Sequence, residues 1–195
     1  MDIKKQILVM DYDPVWPLQF SRLREVYQNY LGQFLISIEH VGSTAVPGLA
    51  AKPVLDIDLI VSGKDALEKI IPILESLEYD YKGEVGIPDR HVFSAKTSTT
   101  PANGSSKEWP KHHLYCCIEG TTGLRNHLLL RDRLRADAEL AASYGELKKR
   151  LALQTTDMGE YVEGKTGFIT DILKQGGFNE GQLSSIVDQN KNVIL

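Results

Sequence analysis

The stretch HVGSTAVPGLAAKPVLDIDLIV, residues 40–61, decides the fold. It runs from the end of a strand, through a Gly-Ser turn, into an apolar segment that holds two aspartates one residue apart. Residues i and i+2 of a strand share a face, so Asp56 and Asp58 stand side by side while Leu55, Ile57 and Leu59 face the other way. Two adjacent carboxylates repel and lose hydration, which is sustainable if they share a proton, flank a basic group or bind a cation. The plain alternative is that one aspartate is exposed at the strand end and the other bonds to a turn. Gly42 and Ser43 follow a strand directly, and such a turn lets backbone amides and a hydroxyl approach a phosphate with no side chain in the way. Thr44 adds a second hydroxyl and Lys52 a cation.

Working outward, Ile7–Met10 is a short apolar segment, and Asp13-Pro14 reads as an N-cap with proline at the first helical position. That helix extends to about Leu31, with Leu18, Leu23, Val26 and Tyr30 as its apolar stripe. Phe34 to His40 alternates as a strand, 42–53 is a turn-rich connection, Val54 to Val61 is a second strand, and Asp65 to Leu77 fits a helix. Two more strands are expected at His91–Lys96 and His113–Ile118, joined by TSTTPANGSSKEWPK, residues 97–111. So long a polar loop is either a functional lid or a flexible connection. From Thr121 the chain is rich in Leu, Ala, Arg, Lys and Glu, all good helix formers, with Gly145 as a weak point or bend. A helix from Asp157 to Lys174 ends at Gly176-Gly177, and a short one follows Asn179. The class is therefore α+β, with a helical C-terminal half. Residues 1–120 are expected to form an α/β core and 121–195 a helical region packed on it, as one compact unit.

The 195 residues are 42% hydrophobic and 25% charged with a net charge of -4, so the chain can bury a real core but does not coat nucleic acid or an anionic membrane by bulk charge. DNA and RNA partners are not expected. No segment has the length of a membrane span or a signal h-region, so a cytoplasmic location is the expectation. Cys116 and Cys117 are adjacent in a strand, point to opposite faces, and form neither a disulfide framework nor a zinc-ligand pattern.

In the helical half, His127, Arg131 and Arg135 recur every four residues and share one face. The arginines either grip a phosphate in forked geometry or pair with Asp132, Asp137 and Glu139 as surface charge, the reading favoured for Arg135. Tyr161 and Lys165 are another such pair, on a helix whose stripe is Val162, Ile169, Ile172 and Leu173.

The motifs YDPVWPLQF, HVGSTAVPGLAAKPVLDIDLIV, HHLYCC, NHLLLRDRLR, YGELKKRLA and YVEGKTGFITDIL, spread over residues 11–175, closely resemble the GrpB family, within the nucleotidyltransferase superfamily of the DNA polymerase β type. The resemblance implies a mixed β-sheet flanked by helices. It also implies a Mg²⁺-dependent (or Mn²⁺-dependent) transfer of a nucleoside monophosphate from a nucleoside triphosphate to an unknown small-molecule or protein acceptor. Asp56 and Asp58 would be metal-binding carboxylates, and Gly42 and Ser43 the phosphate turn, with Thr44 and Lys52 beside it. Lys165 would reach the triphosphate, Tyr161 would lie against the nucleotide, and Lys148 would assist. Arg131 matches the family's Arg-Asp motif, and Arg90 is a further phosphate candidate. The superfamily usually carries a third carboxylate on a neighbouring strand, yet no acid occurs between His113 and Glu119. His113 is left as a metal ligand or proton acceptor, or as an ordinary polar histidine. The missing acid motivates an alternative: a non-catalytic nucleotide-binding or regulatory module that keeps the fold.

Overall fold

The computed structural model describes residues 6–105 and 107–191. Helix α1 (Val15–Leu31) begins one residue later than expected, because Asp13 rather than Pro14 organises the entry. The Asp13 carboxylate accepts from Val15 N at 2.9 Å, and its carbonyl accepts from Trp16 N at 3.1 Å. Strand β1 (Ser37–Val41) is shorter than the expected 34–40 run, since residues 32–34 form a single 3-10 turn. Strand β2 (Leu55–Val61), helix α2 (Lys64–Ser76), strand β4 (Arg90–Ala95) and strand β5 (His112–Ile118) fall within a residue of expectation. Strand β3 (Tyr79–Tyr81) was not expected; three residues are too few to show a periodicity, and pairing with β4 is what makes them a strand.

The sheet is mixed, in the order β1-β2-β5-β4-β3. Strand β2 pairs antiparallel with β1 and parallel with β5, while β4 pairs antiparallel with both β5 and β3. One face carries Leu55, Ile57, Leu59, Val61, Leu114 and Cys116 and packs against α1 and α2 through Trp16, Leu23, Tyr27, Leu67, Ile70 and Leu74. Each such side chain taken wholly out of water contributes about 1.5–3 kcal/mol, so this face is the main source of stability.

The other face carries Asp56, Asp58 and Ile60 from β2 beside His113, Tyr115 and Cys117 from β5. Helix α3 (Thr122–Ala136) covers its far end, where Ile60, Cys117 and Leu124 pack together, and extends over Asp58 and β1 through His127 and Arg131. Helices α4 (Ala138–Gln154) and α5 (Met158–Gln175) clamp the connection after the Gly-Ser turn instead, through Val46, Leu49, Tyr144 and Ile172. Helix α6 (Glu180–Lys191) packs on α5. The expected bend at Gly145 is absent: α4 runs unbroken through it, with Gly145 buried near Leu49 and Ala50. The break falls at Asp137, whose side chain accepts from Leu140 N at 2.9 Å and starts a new helix.

Candidate functional site

The site is built on the open half of the second sheet face. Asp56 lies opposite His113 and Asp58 opposite Tyr115 in the parallel register. Each aspartate holds a histidine: His113 Nδ1 donates to Asp56 Oδ1 at 3.0 Å, and His127 Nδ1, reaching down from α3, donates to Asp58 Oδ2 at 2.9 Å. Asp58 is fully buried, and its Oδ1 has no hydrogen-bond partner. Asp56 retains 30% of its side-chain exposure. Burial pushes the Asp56 carboxyl pKa up, but the His113 hydrogen bond and the nearby His113, His127 and Lys52 outweigh it and hold the value below the ordinary range.

Gly42 sits directly over Asp56. Its φ is +68°, and a Cβ there would lie 2.2 Å from Asp56 Oδ2. Only glycine satisfies both the left-handed backbone and the close approach. Ser43 opens the following 3-10 turn and is partly exposed. Replacing Gly42 by alanine is expected to cost about 1–2 kcal/mol for the backbone alone, and more as Asp56 is displaced; thermal unfolding of the variant checks this.

Three lysines from three elements gather on the same side. Lys52 follows the Gly-Ser turn, Lys148 comes from α4 and Lys165 from α5. Lys165 Nζ lies 4.5 Å and Lys52 Nζ 5.8 Å from the centre of the Tyr161 ring, and Lys148 Nζ lies 4.7 Å from that of Tyr144. Lys148 is 2% exposed, and its amine has no hydrogen-bond partner. Burial, then repulsion from Lys165, lowers its pKa to about 7 despite the attraction of Asp56. Burial and Lys52 bring Lys165 to about 8, again against Asp56, and burial lowers Lys52. Asp56 is the one carboxylate acting on all three amines. The cluster thus holds more potential positive charge than the protein neutralises.

The structure brings together Gly42, Ser43, Lys52, Asp56, Asp58, His113, Lys148 and Lys165. It places four other expected residues differently. Thr44 is buried with its hydroxyl 3.0 Å from His40 Nε2, so it braces the turn. Arg131 is committed to Glu39 at 2.7 Å, the His40 carbonyl at 3.1 Å and Asp132 at 2.7 Å, which ties α3 to β1 and leaves its guanidinium engaged. Tyr161 is 1% exposed and presents its ring to lysines, not to a base. Arg90 stacks on Tyr115, 4.7 Å from the ring centre, and its Nε is buried without a partner. Arg135 donates from Nε to the Ala45 carbonyl at 2.9 Å, so it is not mere surface charge.

His127 and Tyr115 belong to the site and are not marked as such by the sequence. The helical face bearing His127 is legible, but a spacing of four says nothing about which carboxylate it meets across the fold. His113-x-Tyr115 on one strand face was the available signal for Tyr115. Glu39, opposite Asp58 on β1, is the flanking acid the sequence search on β5 missed, and Arg131 neutralises it. Among the described residues no three His, Cys, Asp or Glu side chains converge as a ligand set for a metal ion.

Comparison with known proteins is decisive at the family level: the family described as "GrpB protein" matches residues 6–175. The chain belongs to the GrpB family. It is 32% identical over 167 residues to the UPF0157 protein YqkA of Bacillus subtilis, covering 85% of this chain but 46% of YqkA, so it spans about half the length of that relative. The crystal structure of the conserved protein GrpB from Enterococcus faecalis superposes with a TM-score of 0.72 at 30% identity, covering 91% of this chain and 98% of that one. The Cid1 poly(U) polymerase solved with MgGTP matches with a TM-score of 0.50 at 16% identity, over 73% of this GrpB-family chain and 44% of its own. That likeness establishes the nucleotidyltransferase fold alone. No helix among the described residues is long and apolar enough to cross a membrane.

Proposed function

We propose that this GrpB-family chain is a Mg²⁺-dependent nucleotidyltransferase that moves a nucleoside monophosphate from a nucleoside triphosphate to a further acceptor. The observation that carries the reading is the lysine cluster. Lys52, Lys148 and Lys165 are all attracted by Asp56, over which Gly42 sits, and the Lys148 amine is buried with no hydrogen-bond partner. Buried amines without counter-charges are costly, and a triphosphate supplies the missing negative charge. Charge-assisted bonds from the lysines, with the backbone and hydroxyl of the Gly-Ser turn, hold it against Asp56.

The residues present fit a magnesium ion that arrives with the nucleotide. Mg²⁺ is commonly held by one or two carboxylates plus substrate phosphates, and the orphaned, buried Oδ1 of Asp58 beside Asp56 is the protein's part of such a set. When bound, the ion would neutralise phosphate charge and orient the triphosphate. His127 holds Asp58 and His113 holds Asp56 in place for it.

Thermal unfolding with each nucleoside triphosphate, with and without Mg²⁺, tests the reading. Ligand at 100 times its Kd adds about 2.7 kcal/mol, and we expect this shift to require the metal and to vanish in Asp56→Asn. A radiolabelled transfer assay on the stabilising nucleotide follows. Absence of any nucleotide-dependent shift in the native chain sinks the proposal. The second reading, a nucleotide-binding module without turnover, is favoured by one observation: β5 offers His113 and Tyr115, not an acid, beside Asp56 and Asp58. It predicts the shift without transfer.

A further inference from the structure

The sheet splits beside the candidate site. Strands β4 and β5 pair from Arg90↔Cys117 to Phe93↔Leu114 and then part. Beyond that point Ser94 and Ala95 remain with β3, whereas His112 and His113 remain with β2. A cavity of about 440 Å³ occupies the fork, within the range of small-molecule sites. Ser94, Thr97, Trp109, Lys111, His113 and Tyr115 are among its lining residues. The loop that roofs it is stapled to itself: Trp109 Nε1 donates to the Pro101 carbonyl at 3.1 Å, Trp109 N to the Ser98 carbonyl at 2.8 Å, and Ser98 Oγ to Glu108 at 3.0 Å. These bonds shape the described residues of the loop into a wall of the cavity.

The His113 ring is the partition between this cavity and Asp56. Its Nδ1 is bound to Asp56 Oδ1, while the side chain remains 44% exposed. Of the other polar groups lining the cavity, the hydroxyls of Ser94 and Tyr115 and the ammonium of Lys111 make no hydrogen bond or ion pair with the described residues. The hydroxyls of Thr97, Ser98 and Thr100, by contrast, are engaged within the protein. No carboxylate lines the cavity, and its one formal cation is Lys111.

We infer that this fork is the acceptor site, and that the acceptor is a small hydroxyl-bearing anion, carrying a carboxylate or a phosphate. The anionic group meets Lys111, the apolar body lies against Trp109 and Val92, and a hydroxyl is directed past His113 toward Asp56. A cationic acceptor is disfavoured because it finds Lys111 and no acid. The assignment as acceptor rests on the transferase reading; the assignment as an anion site does not. In the reaction the acceptor hydroxyl oxygen forms a bond to the α-phosphorus of the nucleoside triphosphate. The bond from that phosphorus to the oxygen bridging to the β-phosphorus breaks. Pyrophosphate leaves, and the hydroxyl proton passes to solvent, to which the His113 side is open.

The test uses the full chain and a matched set of probes: gluconate, glucose 6-phosphate, glucose and glucosamine. Binding is read by tryptophan fluorescence, with Trp109→Phe as the control for the reporter, in the absence of nucleotide. Gluconate or glucose 6-phosphate is expected to bind at least ten-fold more tightly than glucose or glucosamine, and whichever binds identifies carboxylate or phosphate as the anionic group. Lys111→Glu, an exposed charge reversal, should abolish that preference, while Lys148→Met should leave it intact. No preference for the anions, a preference for glucosamine, or a preference insensitive to Lys111→Glu overturns the inference. Anion binding without any nucleotide-dependent stabilisation overturns the transferase reading and leaves an anion site. Radiolabelled transfer in cell extract that goes to protein and is unaffected by Lys111→Glu overturns the acceptor assignment.

Discussion

Replacing Lys148 by methionine is expected to stabilise the ligand-free protein and to cripple its binding of a triphosphate. The Lys148 amine is 2% exposed, has no hydrogen-bond partner and has its pKa lowered from 10.5 to about 7, by burial first and then by Lys165. The unfolded chain keeps its proton up to about pH 10.5. Between pH 7 and 10.5 the unfolded state therefore binds more protons than the folded one, so stability rises with pH across that window. At pH 7 the folded state bears a cost of about 4 kcal/mol for this one group. Methionine has similar length and no charge, so it removes the cost and raises the midpoint of thermal unfolding by roughly 10 °C for a chain of this size. It also removes a charge-assisted contact worth about 1.5–3 kcal/mol, so triphosphate affinity should fall ten- to a hundred-fold. Thermal unfolding between pH 6 and 10, with titration of the stabilising nucleotide, checks both halves. A variant that is less stable than the native chain at neutral pH would mean that Lys148 has a partner in the folded state after all. This trade of stability for binding is what a ligand site imposes on a fold.

The second large effect lies at Asp58, two residues along β2 from Asp56. Asp58 is completely buried, and among the described residues its carboxylate accepts one hydrogen bond, from His127, leaving Oδ1 unpaired. Removing one member of a buried pair while leaving the other costs about 3–5 kcal/mol. His127→Phe, which preserves the ring's shape, should therefore lower the unfolding midpoint by roughly 10 °C. Adding Asp58→Asn to that variant should restore most of the loss, since the stranded charge is gone. A double-mutant cycle by urea unfolding measures the coupling directly. If the two changes add independently, Asp58 and His127 do not act as a pair, and the support of Asp58 from α3 is refuted.

These two predictions share a cause. The open face of the sheet carries three amines and two carboxylates drawn from β2, the turn after β1, α4 and α5, and the fold arranges them so that neither set fully satisfies the other. The apolar face beneath supplies the stability that tolerates this. Asp56 and Asp58 can remain on a strand whose alternate residues are Leu55, Ile57 and Leu59 because those three bury against α1 and α2.

Much of this was readable from the chain alone. The period-two alternation of Leu55, Asp56, Ile57, Asp58 and Leu59 determines which side of β2 is core and which is polar, because strand geometry is local. Gly42 is legible as part of a turn directly after a strand, and so is the start of α5 at Asp157, whose cap acts within three residues, whereas the cap at Asp137 is not, because Gly145 is the more conspicuous break in that helical run. The family follows from motifs distributed along the whole chain. What the tertiary structure decided is every pairing across the sequence. It alone shows that His127 meets Asp58 while Arg131, one turn along the same helix, is spent on Glu39. It alone converts Tyr161 from a surface for a base into a buried ring beneath Lys52 and Lys165. Strand β3 and the fork between β4 and β5 are likewise products of pairing. The physical reason is one of range: propensity, alternation and capping act over a few residues, whereas partner and burial are set by contacts 57, 69 and 92 positions apart, which no local pattern encodes.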